Sequence, residues 1–398
     1  MIKENIQRLA KQYADEFIDI RHHLHANPEL SFVEFKTSAF VQQKLTDWGI
    51  PFEVKATTGV VGLVKGINPG KKVIALRADM DALPIREEND IPYRSVNDGV
   101  MHACGHDVHT TCLLGAAKIL NELKAEWEGT VKLIFQPGEE KNPGGASLMI
   151  KEGVLDNPKP SGIYALHVHP GVETGLLSFR GGMIMASADE IYITIKSKGG
   201  HAAAPQLTAD TILIASHLVV SLQQIISRNN VPFNPSVLSI TSFQGGNTTN
   251  VIPSEVKLMG TFRAMNEEWR FQAHDLIKKQ TLELVHAMGA EAEITIDIGY
   301  PFVMNDERLN ADARKRGEEY VGSENVVTTE LRMGAEDFAF YTHQVPGCFF
   351  RLGAGNKKKG ITSGVHTPRF NIDERAIVIG MGMMAWLGVG PLSPEGGT

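Results

Sequence analysis

Cys104 and His106 stand on either side of a single glycine in the segment His102-Ala-Cys-Gly-His-Asp107. Thiolate and imidazole suit zinc and other borderline divalent ions, and a glycine between them lets both ligand atoms turn toward one point. Glu139 and Glu140 follow the Pro137-Gly138 turn, so adjacent carboxylates can face different ways, one to a metal and one to a water. His167 and His169 alternate on an extended segment and therefore share a face. His366 lies in the turn-prone Gly364-Val-His-Thr-Pro368, which can return one more imidazole to the same place. Asp79 and Asp81 fit the supporting role of carboxylates beside metal-bound imidazoles. Each feature alone has a plain structural explanation: a tight loop, an exposed acidic pair, a buried histidine, a solvated strand end. Their number is what points to a metal centre.

The elements that must position these residues can be read from the pattern of apolar positions. Residues 6 to 46 repeat at helical spacing, and the chain then turns to short β-rich runs separated by Gly, Asn and Pro. Val73–Leu76 precedes Asp79 and Asp81, Val131–Phe135 precedes Glu139 and Glu140, and Ile163–Leu166 precedes His167. Such near-continuous apolar strands predict a sheet covered on both faces, with its ligand site beyond the strands' carboxyl ends. A helix after His106 should bury Leu113, Ala116, Ala117 and Leu120.

From about Ala186 the style changes. Ile191, Ile193 and Ile195 alternate as a strand, Ala209–Ile226 reads as a helix and Val237–Phe243 as a strand. Val256–Phe262, the helix Glu267–Met288 and the strand Glu293–Ile298 complete a β-α-β-β-α-β order, the ferredoxin-like signature. The expected organisation is an α/β domain made of residues 1–182 and 299–398, with an α+β domain of residues 183–298 inserted in it. Helices near Asn310–Tyr320 and Ala376–Leu387 should return to the first domain.

With 42% hydrophobic and 21% charged residues the composition is that of a globular protein, and a net charge of −7 disfavours nucleic acid as a partner. The Lys357–Lys359 run is a short solvated loop. No span approaches the roughly 20 apolar residues of a membrane helix, no signal-peptide core opens the chain, and three cysteines make no disulfide framework. The expectation is a cytoplasmic protein.

Taken in order, Arg21-His-His-Leu-His-Ala-Asn-Pro-Glu-Leu30, Arg77-Ala-Asp-Met-Asp-Ala-Leu-Pro84, Met101-His-Ala-Cys-Gly-His-Asp-Val-His-Thr110, Gln136-Pro-Gly-Glu-Glu140, Ala165-Leu-His-Val-His-Pro170, Met333-Gly-Ala-Glu-Asp-Phe338 and His366-Thr-Pro368 span nearly the whole chain. Together they resemble the M20 metallopeptidase superfamily, in its aminoacylase, hippurate hydrolase and auxin-conjugate hydrolase branch. The resemblance implies a zinc-peptidase-like catalytic domain and an inserted domain that dimerises. It implies two divalent ions, zinc or manganese first and cobalt or nickel next, bridged by Cys104. His106 and His167 would complete one site, Glu140 and His366 the other, with Glu139 as general base. Where the wider superfamily has His-x-Asp, this chain has Asp79-Met-Asp81, so Asp79 and Asp81 are expected as support, with Asp81 among the catalytic residues.

In the inserted domain the resemblance assigns His201, in Gly199-Gly-His-Ala-Ala-Ala-Pro205, to the oxyanion, often across a dimer interface. It assigns Asn250 and Arg263 to substrate, the guanidinium suiting a carboxylate. The wording Gly245-Gly-Asn-Thr-Thr249 departs from the branch. The implied reaction is hydrolysis of N-acyl amino acids. Short peptides remain open as substrates. So do two rival roles: a thiol hydrolase with Cys104 as nucleophile, and a binding protein that kept the fold.

Overall fold

The computed structural model describes residues 2–390. The chain divides into two compact units, one of Met1–Ile184, Met304–Glu330 and Asp337–Thr398, the other of Met185–Val303 with Leu331–Glu336.

The first unit is built on an eight-stranded sheet. Its order is Phe52–Lys55, Gly59–Lys65, Thr130–Gln136, Val73–Asp79, Gly162–Glu173, Gly347–Gly355, Leu177–Phe179 and Val326–Thr328. The three strands expected to carry chemistry are its parallel centre: Val73–Asp79 pairs in parallel with Thr130–Gln136 on one side and Gly162–Glu173 on the other. Every residue of Thr130–Gln136 is buried, as covering on both faces requires. The helix His106–Glu122 buries Leu113, Ala116, Ala117 and Leu120, but also His109, Cys112 and Leu114. It is a central helix rather than a half-exposed one, sharing a core with Ile377, Met381 and Met384 of the helix Arg375–Val389.

The helical spacing over 6–46 is carried by three helices, Ile2–Gln12, Ala14–Ala26 and Phe35–Asp47. One expectation needs correcting here. His167 does not follow its strand but lies inside Gly162–Glu173. It still reaches the site because Arg77 pairs with Ala165, which brings Asp79 and His167 level two residues further on. The strand Gly347–Gly355, buried throughout and parallel to Gly162–Glu173, has no alternation to mark it in the sequence.

The second unit has a four-stranded antiparallel sheet in the order Ser236–Gln244, Glu255–Ala264, Asp189–Lys196, Glu291–Ile298. That is the strand order of a ferredoxin-like α+β fold. Helices Thr211–Gln224 and Glu267–Ala287 start at Asp210 and Asn266, whose side chains accept backbone N–H groups of the first turn. Asp189 is fully buried and accepts from Arg270 Nε (2.9 Å) and Nη2 (2.6 Å) and pairs with His274 Nε2 (2.8 Å). One further correction concerns length: Thr211–Asn229 is a 19-residue helical stretch of mean hydropathy 1.2, long and apolar enough to cross a membrane. Here Ile214, Leu218, Leu222 and Ile225 of that stretch are in the unit's core.

Candidate metal centre

The segment Ala103–Asp107 is shaped by Gly105, whose φ of +87° is left-handed and whose Cβ, if present, would lie 2.3 Å from Val168 Cγ2. Only glycine fits, and it caps the helix so that His106 opens the first turn beside Cys104. The glutamates depend on a second such turn. Gly138 has φ +56°, and a Cβ there would meet the Phe32 ring at 2.3 Å. Its amide donates to Glu34 Oε1 at 2.8 Å, while Glu34 Oε2 accepts from Thr58 Oγ1 at 2.8 Å. The buried Glu34 therefore pins the turn that presents Glu139 and Glu140.

Hydrogen bonds fix which lone pairs face the site. His106 Nδ1 donates to Asp81 Oδ1 at 3.1 Å, and His167 Nδ1 donates to the Val168 carbonyl at 2.7 Å. Both imidazoles are left with Nε2 as the ligand atom. The other Asp81 oxygen accepts from Ser31 Oγ (2.6 Å) and the Glu140 amide (3.0 Å), so one carboxylate orients His106 and Glu140 together. His366, with φ +60°, is tied to this loop by its amide, which donates to Ala103 O at 2.8 Å.

The result is a set of converging ligand atoms. Cys104, His106 and His167 form one group and Cys104, Glu140 and His366 another, each with its ligand atoms within 4.8 Å of one another. Cys104 Sγ is 3.4 Å from His167 Nε2, and His366 Nε2 is 3.1 Å from Glu140 Oε1. His106 Nε2 is 3.9 Å from Glu139 Oε2. His106 Nε2 and Glu140 Oε1 are buried without a hydrogen-bond partner; the His366 contact is close but lacks hydrogen-bond geometry. Buried polar atoms are nearly always satisfied, so two unpaired atoms 4.0 Å apart suit a divalent cation as their shared partner.

The electrostatics agree. Burial opposes a charge on His106, yet Asp79 and Cys104 outweigh it and hold the imidazole well above its usual range. The close approach of Cys104 and Glu140 pushes His366 up to about 10. A place that retains protons on two histidines is one that favours positive charge. Burial and then Glu140 push the Cys104 thiol up, the reverse of what a nucleophilic cysteine needs. His167, by contrast, is held well below its usual range by burial and by His109 and Arg351, so it is neutral and able to ligate.

His169 is partly exposed and forms no part of these groups. Sequence reasoning passed over His109 and Glu34. His109 sits one helical turn after His106, a spacing that could have been noticed; Glu34 carried no signal.

His201, Asn250 and Arg263 belong to the second unit. The short pair Gly200–His201 and Val251–Ile252 aligns His201 with Val251, and the Ala202 amide donates to Asn250 O at 3.0 Å, so His201 and Asn250 are neighbours. His201 Nδ1 accepts the Ala203 amide at 3.0 Å, leaving Nε2–H free to donate. Arg263 lies in Glu255–Ala264 opposite Val237, partly buried.

The chain matches the model of Peptidase family M20/M25/M40 over residues 75–387. It is 42% identical over 306 residues to an N-acyl-L-amino acid amidohydrolase of Geobacillus stearothermophilus, covering 77% of this chain and 82% of that protein. It is 38% identical over 375 residues to an N-acetyl-L-cysteine deacetylase of Bacillus subtilis, covering 94% and 86%. Its fold is similar to the crystal structure of the Bacillus subtilis YXEP protein, described as a dinuclear metal binding peptidase from the M20 family. That similarity has a TM-score of 0.82 and 34% identity, and covers 95% of this chain and 98% of that one. With the family model spanning most of the chain, this protein belongs to peptidase family M20/M25/M40 and is a hydrolase acting on amides.

Proposed function

We propose that the protein is a metal-dependent amidohydrolase that removes the acyl group from N-acyl amino acids. The observation that carries this is the pair of ligand groups sharing Cys104 Sγ, with Glu139 beside them. Cys104, His106 and His167 would hold one divalent ion, and Cys104, Glu140 and His366 the other. Such ions supply Lewis acidity, which makes a water easier to deprotonate and an amide carbonyl easier to attack.

The chain's own groups do the rest. Glu139 takes the proton of the attacking water and returns it to the departing nitrogen, which an amine leaving group needs. Asp81 holds His106 in the tautomer that ligates. The resemblance supports His201 as the residue that would steady the oxyanion, and Asn250 and Arg263 as those that would bind substrate, a guanidinium being suited to a carboxylate. Zinc or manganese suits this Cys, His and Glu set, and cobalt or nickel is compatible with it. Two relatives' names, N-acyl-L-amino acid amidohydrolase and N-acetyl-L-cysteine deacetylase, favour N-acyl amino acids.

The protein acts as a homodimer in this proposal, because Ser236–Gln244 is an edge strand with Val237 and Phe243 exposed on it. Three free, buried cysteines suit a reducing cytoplasm. The test is a hydrolysis screen in which metal-free protein is reconstituted separately with each ion and offered N-acyl amino acids and dipeptides. Faster turnover of the acyl amino acids supports the proposal; turnover of dipeptides alone overturns it.

A further inference from the structure

The two ligand groups draw on chain segments far apart in sequence, Cys104 and His106 on one side and His366 on the other. We propose that Arg21, on the helix Ala14–Ala26, is the positioning residue that fixes these two segments against each other. This inference rests on the metal-centre reading above.

Arg21 is fully buried. Its Nε donates to Asp107 Oδ2 at 2.9 Å, and Asp107 directly follows His106 in the helix's first turn. Its Nη2 donates to Asn371 Oδ1 at 3.1 Å. Asn371 ends the segment that starts at His366, and a turn from Thr367 O to Phe370 N makes that segment compact. One planar guanidinium thus spans both ligand-bearing segments, with a geometry that an ammonium cannot copy.

The surroundings hold the arginine in turn. Its guanidinium carbon is 4.8 Å from the Tyr93 ring centroid. His25, one turn along the same helix, places Nδ1 at 2.8 Å from Asp107 Oδ2 and Nε2 at 3.1 Å from Glu87 Oε1. Asn89 connects Glu87 Oε1 to the Phe370 carbonyl, and the Glu88 amide donates to Pro368 O at 2.8 Å. The loop that carries His366 is therefore anchored twice to the helix bearing Arg21, directly through Asn371 and indirectly through the 87–89 segment. This matters most for His366, whose side chain is half exposed and whose backbone is left-handed. Its amide bond to Ala103 O fixes the backbone at one point, and the anchors through Asn371 and the 87–89 segment hold the rest of the loop in place.

The test measures zinc affinity, with a chromophoric chelator as competitor, on the full chain. Arg21→Lys should weaken zinc binding about 10-fold, the lower end of the loss expected when a direct hydrogen-bond partner of a ligand is removed, because Arg21 acts one residue further out. Asn371→Ala removes one half-buried acceptor, which takes Arg21 Nη2 and the Ile372 amide, and guards against misfolding of the arginine variant. It should weaken one of the two binding events and spare the other, with the melting temperature of the metal-free protein unchanged. Asn371→Asp, which keeps the acceptor oxygen, should restore wild-type affinity. Wild-type affinities for both ions in Arg21→Lys and Asn371→Ala would overturn the inference, as would equal weakening of both events in Asn371→Ala. If the wild-type chain itself binds no zinc, the metal-centre reading fails first and this inference with it.

Discussion

His109 donates from Nδ1 to Asp79 Oδ1 across 2.6 Å, while its Nε2 accepts the Val168 amide across 2.9 Å. Both ring nitrogens are committed, although His109 lies close enough to Asp79 and His106 to resemble a ligand. Its role is to hold Asp79, whose other oxygen takes Arg77 Nη1 at 2.7 Å and lies 3.7 Å from His106 Nε2. Burial would raise the Asp79 carboxyl, but His106, Arg77 and His109 outweigh it and keep the group ionised.

The first prediction separates a support from a ligand. His109→Leu leaves the Asp79 oxygen and the Val168 N–H unpaired in the core, costing about 2–4 kcal/mol of stability. The number of ions bound per chain should stay at the wild-type value when measured by elemental analysis. Loss of one ion would make His109 a ligand.

A second prediction divides the adjacent glutamates. Glu139→Gln should keep wild-type metal content and lose roughly 10²- to 10⁴-fold in turnover, the span expected for a general base. Glu140→Gln should instead weaken metal binding. The opposite pattern in a metal titration would exchange their roles.

Gly105 supports a third. Gly105→Ala forces a methyl group to 2.3 Å from Val168 Cγ2 in a left-handed conformation, with an expected cost of about 2–4 kcal/mol. Denaturant unfolding of the metal-free protein checks it, and an unchanged midpoint would show that the loop relaxes freely.

The fourth concerns the second unit and pH. Burial would raise the Asp189 carboxyl, but its bonds to His274 and Arg270 outweigh this and hold it below the usual range. Its folded value is lower than its unfolded one, so its stabilisation is complete above the ordinary carboxylate pKa, near pH 4, and is lost as acid protonates it. Asp189→Ala should cost about 3–5 kcal/mol at neutral pH, by stranding Arg270. The gap between variant and wild type should narrow below about pH 4. A gap independent of pH would remove the charge from the explanation.

Much of this arrangement was legible because the chemistry repeats a simple plan. Apolar runs ending near Asp79 and Glu139 are parallel-strand signals, and the residues after them meet where such strands end. The β-α-β-β-α-β order of the second unit was equally plain, since Ile191, Ile193 and Ile195 alternate against its helices. Gly347–Gly355 was not legible: four of its nine residues are glycine or alanine, and full burial erases the alternation that marks a strand. Glu34 and Arg21 escaped for another reason. Their partners, Gly138 and Asn371, are remote in sequence, and no spacing rule connects a buried charge to a loop that folding brings beside it.

The most direct measurement is zinc titration of rigorously metal-free protein, followed by hydrolysis of an N-acyl amino acid as a function of ions bound. The account predicts two ions per chain, no hydrolysis without metal and recovery as the sites fill. Full hydrolysis by the metal-free protein would contradict it.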